Sequence, residues 1–181
     1  MNNNAIAATL ALTLFAAAPA AAAEPPSAGP LDPATFYAGT WYEQARTPTG
    51  LTKGCEWATT AYSRDDKGRI QVRDECRQER EDGSLRAIAG PGQIKDEGVN
   101  ATLEVRYRFG PFRPTRTYRI IATDPDRSWF ASAEPGFERV YLFSRAVAPP
   151  MAEVEAWVGK IRALGYTGEL EILATPGRPR P

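Results

Sequence analysis

The chain has 181 residues, enough for one domain, and its 22 basic and 22 acidic residues give a formal net charge of zero. A neutral chain gives no electrostatic reason to expect nucleic acid as a partner, because that binding depends on a basic surface. Histidine is absent, which excludes Ser-His-Asp and Cys-His triads and the usual histidine-containing zinc sites, and two cysteines cannot build a four-thiolate site. We therefore expect no metal, no cofactor and no nucleic acid.

Residues 1–23 contain no charged side chain, have an apolar centre and end in Ala21-Ala22-Ala23. This pattern is typical of a secretory signal peptide with a small-residue cleavage site. A transmembrane anchor is the alternative, although the run is barely long enough to span a bilayer. Cleavage would make Glu24 the first residue of a soluble chain, periplasmic or secreted. No cysteine follows the cleavage site, so we expect no lipid anchor.

The two cysteines, Cys55 and Cys76, are expected to form a structural disulfide in an exported chain. Redox catalysis is the alternative, but it favours a CxxC pair, which the chain lacks. Turn residues 65–68 (Asp-Asp-Lys-Gly) between the cysteines predict a hairpin. If the hairpin folds about residues 65 and 66, the facing pairs are Cys55 with Cys76, Thr59 with Val72, and Ala61 with Ile70. A turn shifted by one residue, or a bulge, is the alternative.

Residues 24–34 form a proline-rich leader without a packing pattern, and a short helical turn is predicted to begin at Pro33. Eight short strands with turns between them follow, which favours an antiparallel meander. The predicted strands are Thr40–Arg46, Glu56–Ser63, Arg69–Glu75, Leu85–Ile94, Ala101–Phe109, Thr117–Thr123, Trp129–Ala133 and Arg139–Arg145.

The eighth strand is apolar on both faces, so we expect another element to cover its outer side. Residues Met151–Leu164 have helical spacing and provide that cover. The apolar stripe of this helix consists of Val154, Trp157, Val158 and Ile161. A last strand is predicted over Glu169–Ala174, and residues 176–181 are predicted to be disordered. These elements indicate an all-β barrel with one helix packed outside.

Three separated motifs make the prediction more specific. The first strand opens with Gly39-Thr40-Trp41-Tyr42-Glu43, Thr123-Asp124 lies between the sixth and seventh strands, and Arg145 ends the eighth. In this order and spacing they resemble the lipocalin family over about residues 33–174. The chain is most similar to the group of the bacterial outer-membrane lipocalin, apolipoprotein D and the plant temperature-induced lipocalins. The bacterial members are often lipoproteins, and the cysteine this requires is missing here.

The resemblance implies an eight-stranded up-and-down barrel with a C-terminal helix, over residues 35–175. Gly39 and Trp41 would lie at the closed end, with the guanidinium of Arg145 across the Trp41 ring in a cation–π contact. Thr123 and Asp124 would lie in a loop at the same end, where Asp124 would cap backbone N–H groups. These residues are expected to be structural.

The interior of such a barrel can hold one small ligand. Strand alternation selects the side chains expected to contact it, and the alternative is that they only fill the core. Glu43 would either join a salt bridge near the floor or bind a polar group of the ligand. The selected side chains are Glu43, Ala45, Leu103, Val105, Tyr107, Phe109, Tyr118, Ile120, Arg139, Tyr141 and Phe143. On the sixth strand we also expect Ala122 to point inward.

Basic residues occur in the loops that the resemblance places at the open end; they are Lys53, Arg77, Arg80, Arg113 and Arg116. They would suit the carboxylate of a fatty acid or the phosphate of a lysophospholipid, or they are ordinary solvated charges. The expected function is binding, transport or storage of such a ligand, linked to envelope lipid maintenance and peripheral membrane contact, by a monomer or dimer. The alternatives are a lipocalin-fold enzyme that uses Glu43, the only inward carboxylate expected, and a protein-interaction or inhibitor module.

Overall fold

The computed structural model describes residues 24–78, 83–175 and 177–178. The predicted signal peptide, residues 1–23, and Arg80 lie outside the described residues. Two α-helices, α1 (Pro33–Phe36) and α2 (Met151–Ala163), accompany the strands. The strands are β1 (Gly39–Arg46), β2 (Cys55–Arg64), β3 (Ile70–Gln78), β4 (Leu85–Ile94), β5 (Thr102–Arg106), β6 (Thr115–Thr123), β7 (Trp129–Ala133), β8 (Val140–Ser144) and β9 (Glu171–Ile172).

The strands form one closed antiparallel sheet. Each of β2 to β7 pairs with the next strand along the chain, and β1 closes the barrel by pairing with both β8 and β2. β9 is shorter than predicted and pairs with the end of β1 at Ala45 and Arg46. The predicted fold, an eight-stranded up-and-down barrel with one helix outside, is confirmed.

The β2–β3 hairpin contains the predicted disulfide, but its two strands pair in a different register from the one predicted. Thr59 pairs with Glu75 rather than Val72, because the turn spans residues 65–69 and is centred on Lys67. Asp65 fixes this longer turn by accepting hydrogen bonds from the backbone N–H groups of Lys67 at 3.0 Å and Arg69 at 2.9 Å. An irregularity between Cys55 and Trp57 then brings Cys55 near Cys76, with 5.5 Å between their Cα atoms, and the disulfide forms.

Two bulges reverse the alternation that the sequence predicts. One lies between Glu43 and Ala45 on β1, the other between Ile120 and Ala122 on β6. Each bulge inserts one residue, so every later side chain on that strand changes face. As a result Ala45 and Ala122 pack outside the barrel against the α2 cluster, and the prediction that they point inward is wrong.

Two apolar clusters lie on opposite sides of the sheet. The inner cluster contains Trp41, Leu103, Phe130 and Phe143, whereas the outer cluster joins β6, β7, β8 and β1 to helix α2. Val154, Trp157 and Ile161 are the buried residues of α2, and the Trp157 ring stacks on Trp129 with centroids 5.4 Å apart. The outer apolar face of β8 is therefore covered as predicted.

In the described part of the chain, neither α1 nor α2 is long and apolar enough to span a membrane.

The chain ends contact the barrel more closely than their composition indicates. In the leader, Leu31 is buried in the inner cluster and its N–H donates to the carbonyl of Val99 at 2.9 Å. In the tail, the buried guanidinium of Arg178 donates to Gln44 Oε1 at 2.6 Å and to the carbonyl of Pro149 at 2.9 Å. The expected lack of packing is therefore wrong for Leu31, and the expected disorder is wrong for Arg178. Residues 176 and 179–181 lie outside the described part.

Candidate functional site

The floor of the barrel is an aromatic cluster closed by α1. The Trp41 ring meets Phe130 at 4.7 Å and Phe36 at 5.5 Å between centroids, and Trp41 is fully buried. The guanidinium carbon of Arg145 lies 3.6 Å from the Trp41 ring centroid, which is the cation–π contact that the resemblance implies. Arg145 also donates to the carbonyls of Thr40 at 3.0 Å and Phe36 at 3.5 Å. This end of the barrel is closed to ligands.

The β6–β7 loop lies at the same end. Asp124 Oδ1 accepts a hydrogen bond from the backbone N–H of Ser128 at 2.7 Å, and its second oxygen contacts the Ser128 hydroxyl. The Thr123 hydroxyl donates to the carbonyl of Trp129 at 2.6 Å. Both side chains thus hold the loop together. Gly39, at the start of β1, has a φ of 68°, a conformation that favours glycine.

The predicted apolar wall lies largely inside the barrel. Leu103, Val105, Tyr107, Ile120 and Phe143 are buried in the inner cluster. Since Leu103, Val105 and Ile120 are each about 1% exposed, they fill the core, and a ligand could reach them only if neighbours moved.

Phe109 is the exception on this wall. β5 ends at Arg106, and a tight turn from Phe109 to Phe112 closes with hydrogen bonds of 3.1 and 2.9 Å between their backbones. The turn carries the Phe109 ring out of the barrel, where it is 62% exposed. The prediction that Phe109 lines the interior is therefore wrong.

The partly buried side chains of the inner cluster are both aromatic and aliphatic. Tyr118 and Tyr141 keep accessible surface although they pack against the inner cluster, and their rings meet edge to face at 5.8 Å. Tyr62, Ile88 and Ile94 are also only partly buried there. Tyrosine rings therefore provide polar aromatic surface beside the aliphatic side chains.

Glu43 forms the salt bridge that was one of its two expected roles. Its carboxylate lies 3.0 Å from the guanidinium of Arg46, which also donates to Glu171 at 2.8 Å and to the carbonyl of Cys55. Burial raises the pKa of Glu43 to about 7, and the charge of Arg46 opposes that rise. Its partners hold Glu43 in a fixed position.

Asp74, on β3, is an inward carboxyl group that the sequence analysis missed. Asp74 Oδ1 accepts from the Thr60 hydroxyl at 2.8 Å, and Asp74 Oδ2 accepts from the Tyr107 hydroxyl at 2.5 Å. Burial raises the pKa of Asp74, while these two hydrogen bonds lower it. A signal existed in the sequence, because Asp74 has the same strand parity as the inward Ile70 and Val72.

A third carboxyl group, Glu134, lies at the rim of the barrel and was also missed. It contacts Arg139 at 3.0 Å, the hydroxyl of Tyr141 at 2.9 Å and, more distantly, Arg116 at 3.9 Å. Burial raises the pKa of Tyr141, and the nearby charge of Glu134 also raises it. Arg139, expected as a basic ligand contact, is thus paired within the protein. The prediction that Glu43 is the only inward carboxylate is wrong, since Asp74 and Glu134 accompany it.

The remaining basic residues of the open end differ in their exposure. Lys53 and Arg113 are exposed, and Arg113 donates to the carbonyls of Gly110 at 2.7 Å and Phe112 at 2.8 Å. Arg77 is half-buried and reaches the carbonyl of Gly83 at 3.4 Å.

Within residues 24–78, 83–175 and 177–178, no three acidic or cysteine side chains are grouped so that they could hold a metal ion.

Comparison with known proteins identifies the family by a family model, and a relative and several solved structures resemble the chain. A family model described as a lipocalin-like domain matches residues 31–175. A lipocalin of Acanthamoeba polyphaga mimivirus is 31% identical over 113 residues, which are 60% of this chain and 64% of that protein, so the match spans less than two thirds of the relative.

Solved structures share the fold at low sequence identity. Insecticyanin from the tobacco hornworm Manduca sexta superposes with a TM-score of 0.63 at 14% identity, covering 87% of each chain. The siderocalin Ex-FABP gives a TM-score of 0.53 at 15% identity, covering 77% of this chain and 94% of the other. With a family model that matches most of its length, the chain belongs to the lipocalin family.

Proposed function

We propose that this lipocalin binds one small amphipathic molecule in the barrel, with a fatty acid or a lysophospholipid as its physiological ligand. The observation that carries the proposal is a barrel closed at one end by Trp41 and Arg145, whose interior keeps accessible aromatic surface at Tyr118 and Tyr141. Lipocalins in general bind small hydrophobic ligands, and the structurally similar siderocalin Ex-FABP functions through dual ligand specificities. Transport or storage of a lipid is the corresponding biological role.

Charge at the open end supports an anionic head group at the rim. Lys53 and Arg113 are exposed there, and Arg116 is 3.9 Å from Glu134, a distance that leaves its guanidinium available to a second anion. Arg139 is committed to Glu134 at 3.0 Å. A phosphate or carboxylate that approached Arg113 and Arg116 would gain charge-assisted hydrogen bonds while its chain entered the barrel.

Exposed aromatic rings at the same end support contact with a membrane. Phe109 and Phe112 are 62% and 67% exposed at the tip of the β5–β6 turn, and Arg108 and Arg113 flank them. Aromatic rings beside cationic side chains suit the boundary between anionic head groups and acyl chains. We propose that the protein collects or delivers its ligand at the envelope membrane through this turn.

The disulfide and the family indicate an extracellular or secreted protein. We propose export through residues 1–23 as a cleaved signal peptide, and a periplasmic or secreted location. We also propose binding rather than catalysis, because both deep carboxyl groups have fixed partners: Glu43 is paired with Arg46, and Asp74 is hydrogen-bonded to Thr60 and Tyr107.

Calorimetric titration with palmitate and with lysophosphatidylglycerol tests the binding function. We expect saturable binding with a stoichiometry near one. Ile88→Trp, which adds bulk among the side chains of the inner cluster, should abolish it, whereas Val158→Trp, which adds similar bulk on α2 in the outer cluster, should not. Binding that survives Ile88→Trp in a folded protein, or no saturable binding of either lipid, would refute the proposal.

Flotation with vesicles of phosphatidylglycerol and phosphatidylcholine tests the membrane contact. The double substitution of Phe109 and Phe112 by serine should remove binding to the anionic vesicles. Val99→Ser is the matched control, because Val99 is exposed at the opposite end of the barrel, near Leu31. Equal flotation of the two variants would show that the turn does not dock on lipid.

A further inference from the structure

The carboxyl groups found inside the barrel differ in whether a cation accompanies them. Glu43 lies 3.0 Å from Arg46, and Glu134 lies 3.0 Å from Arg139. Asp74 forms no ion pair with any residue that the structure describes, and its hydrogen-bond partners there are the hydroxyls of Thr60 and Tyr107. It is the interior carboxyl group without a cation.

Two hydroxyl donors leave part of this carboxylate unused. An ionised carboxylate offers about four acceptor positions, of which Thr60 and Tyr107 occupy two. Asp74 is only partly buried as a whole residue, although its carboxyl group points into the barrel. Burial raises the pKa of Asp74 and so disfavours its charged form, which a group bringing positive charge and N–H donors stabilises.

Three tyrosines lie near Asp74 inside the barrel, together with Ile88, its cross-strand neighbour on β4. Tyr107 Oη lies 3.3 Å from Tyr118 Oη, and Tyr62 interacts electrostatically with both Asp74 and Tyr118. Burial raises the pKa of all three tyrosines, so their rings are neutral. The face of a neutral tyrosine ring attracts a cation, and its hydroxyl oxygen can accept an N–H hydrogen bond.

We propose that the barrel selects amphipathic amines, whose protonated primary ammonium group binds Asp74 among Tyr62, Tyr107 and Tyr118 while the apolar chain extends towards the rim. This inference rests on the proposed function only in that the interior must hold an apolar chain, and it replaces the fatty acid or lysophospholipid named there by an amine as the preferred ligand. A fatty acid places a methyl group against Asp74 instead, which leaves the carboxylate without water and without a cation.

Calorimetric titration at pH 7 with three twelve-carbon ligands, dodecylamine, 1-dodecanol and dodecanoate, compares the head groups directly. We expect dodecylamine to bind at least about tenfold more tightly than the other two, because a buried hydrogen-bonded charge pair contributes at least that factor. Asp74→Asn should lower the affinity for dodecylamine by about tenfold or more and leave that for dodecanol within about threefold. Glu75→Gln, the adjacent carboxyl on the outer face of β3, should change neither.

The outcomes separate this proposal from the proposed function. If dodecanol or dodecanoate binds as tightly as dodecylamine to the unmodified protein, Asp74 does not select a cation, and this result does not depend on how Asp74→Asn folds. A preference for the amine that persists in folded Asp74→Asn also overturns the assignment. If neither these ligands nor palmitate and lysophosphatidylglycerol bind, the proposed function fails, rather than the choice of head group alone.

Discussion

Replacement of Arg145 by methionine tests how strongly the floor of the barrel stabilises the fold. Methionine keeps much of the aliphatic stem but removes the charge and the donors. The guanidinium lies 3.6 Å from the ring centroid of the fully buried Trp41, and such a contact is worth about 1–2 kcal/mol when shielded from water. Its hydrogen bonds to the carbonyls of Thr40 and Phe36 add about 1–2 kcal/mol together.

We therefore expect Arg145→Met to lower the free energy of unfolding by about 2–4 kcal/mol, which corresponds to a fall in Tm of about 5–10 °C for a chain of this size. Urea unfolding followed by circular dichroism measures it. Arg145→Lys should recover only part of the loss, since an ammonium keeps the charge but not the planar donor fork.

Arg113→Met is the matched control for this experiment. Arg113 also donates to two backbone carbonyls, at 2.7 and 2.8 Å, but it is exposed at the open end of the barrel. Its loss should cost less than about 0.5 kcal/mol. If Arg145→Met costs no more than Arg113→Met, the cation–π contact does not stabilise the floor, and the structural role given to Arg145 is wrong.

Three further predictions concern the core. Burial raises the pKa of Glu43 from 4.5 to about 7, so the folded chain binds more protons than the unfolded chain between these pH values. The free energy of unfolding should therefore fall by up to about 3 kcal/mol as pH rises from 5 to 7. Glu43→Gln should flatten this part of a denaturation–pH profile. Replacing Cys55 and Cys76 together by alanine should cost about 3 kcal/mol in urea unfolding, given their separation of 21 residues, and an unchanged midpoint would contradict this. Gly90→Ala places a Cβ 2.1 Å from the carbonyl oxygen of Arg106 and should cost about 1–3 kcal/mol; equal thermal stability would show that β4 and β5 can separate freely.

The strands were predictable because period-two alternation and turn residues are local signals, whereas the bulges were not. On β1 the extra residue is Gln44, whose side-chain amide donates to the carbonyl of Val147 at 3.2 Å and whose Oε1 accepts from Arg178 at 2.6 Å. Both partners lie more than a hundred residues away along the chain. Alternation alone therefore placed Ala45 on the wrong face, and the hairpin register failed similarly, because the side chain of Asp65 extends the turn.

Site prediction failed in a related way. Glu43 stands within the motif that opens with Gly-x-Trp and marks its strand, whereas Asp74 lies in a charged stretch between Arg73 and Glu75 that carries no motif. The face of β3 could have been read from Ile70 and Val72, both buried in the inner cluster. What could not be read is that Thr60 and Tyr107, from two other strands, meet Asp74 inside the barrel.

The two deep carboxyl groups have different roles, and Arg46 is the reason. Beyond Tyr42 and Thr59 the ladder between β1 and β2 ends, and Arg46 spans the opening by donating to the carbonyls of Thr52 and Cys55. Buried carbonyls that lose strand partners need other donors, and Arg46 in turn needs counter-charges, which Glu43 and Glu171 provide. Glu43 is thus engaged at the seam as a partner of Arg46. Asp74 has no such task, which leaves it as the interior carboxyl group that a ligand can use.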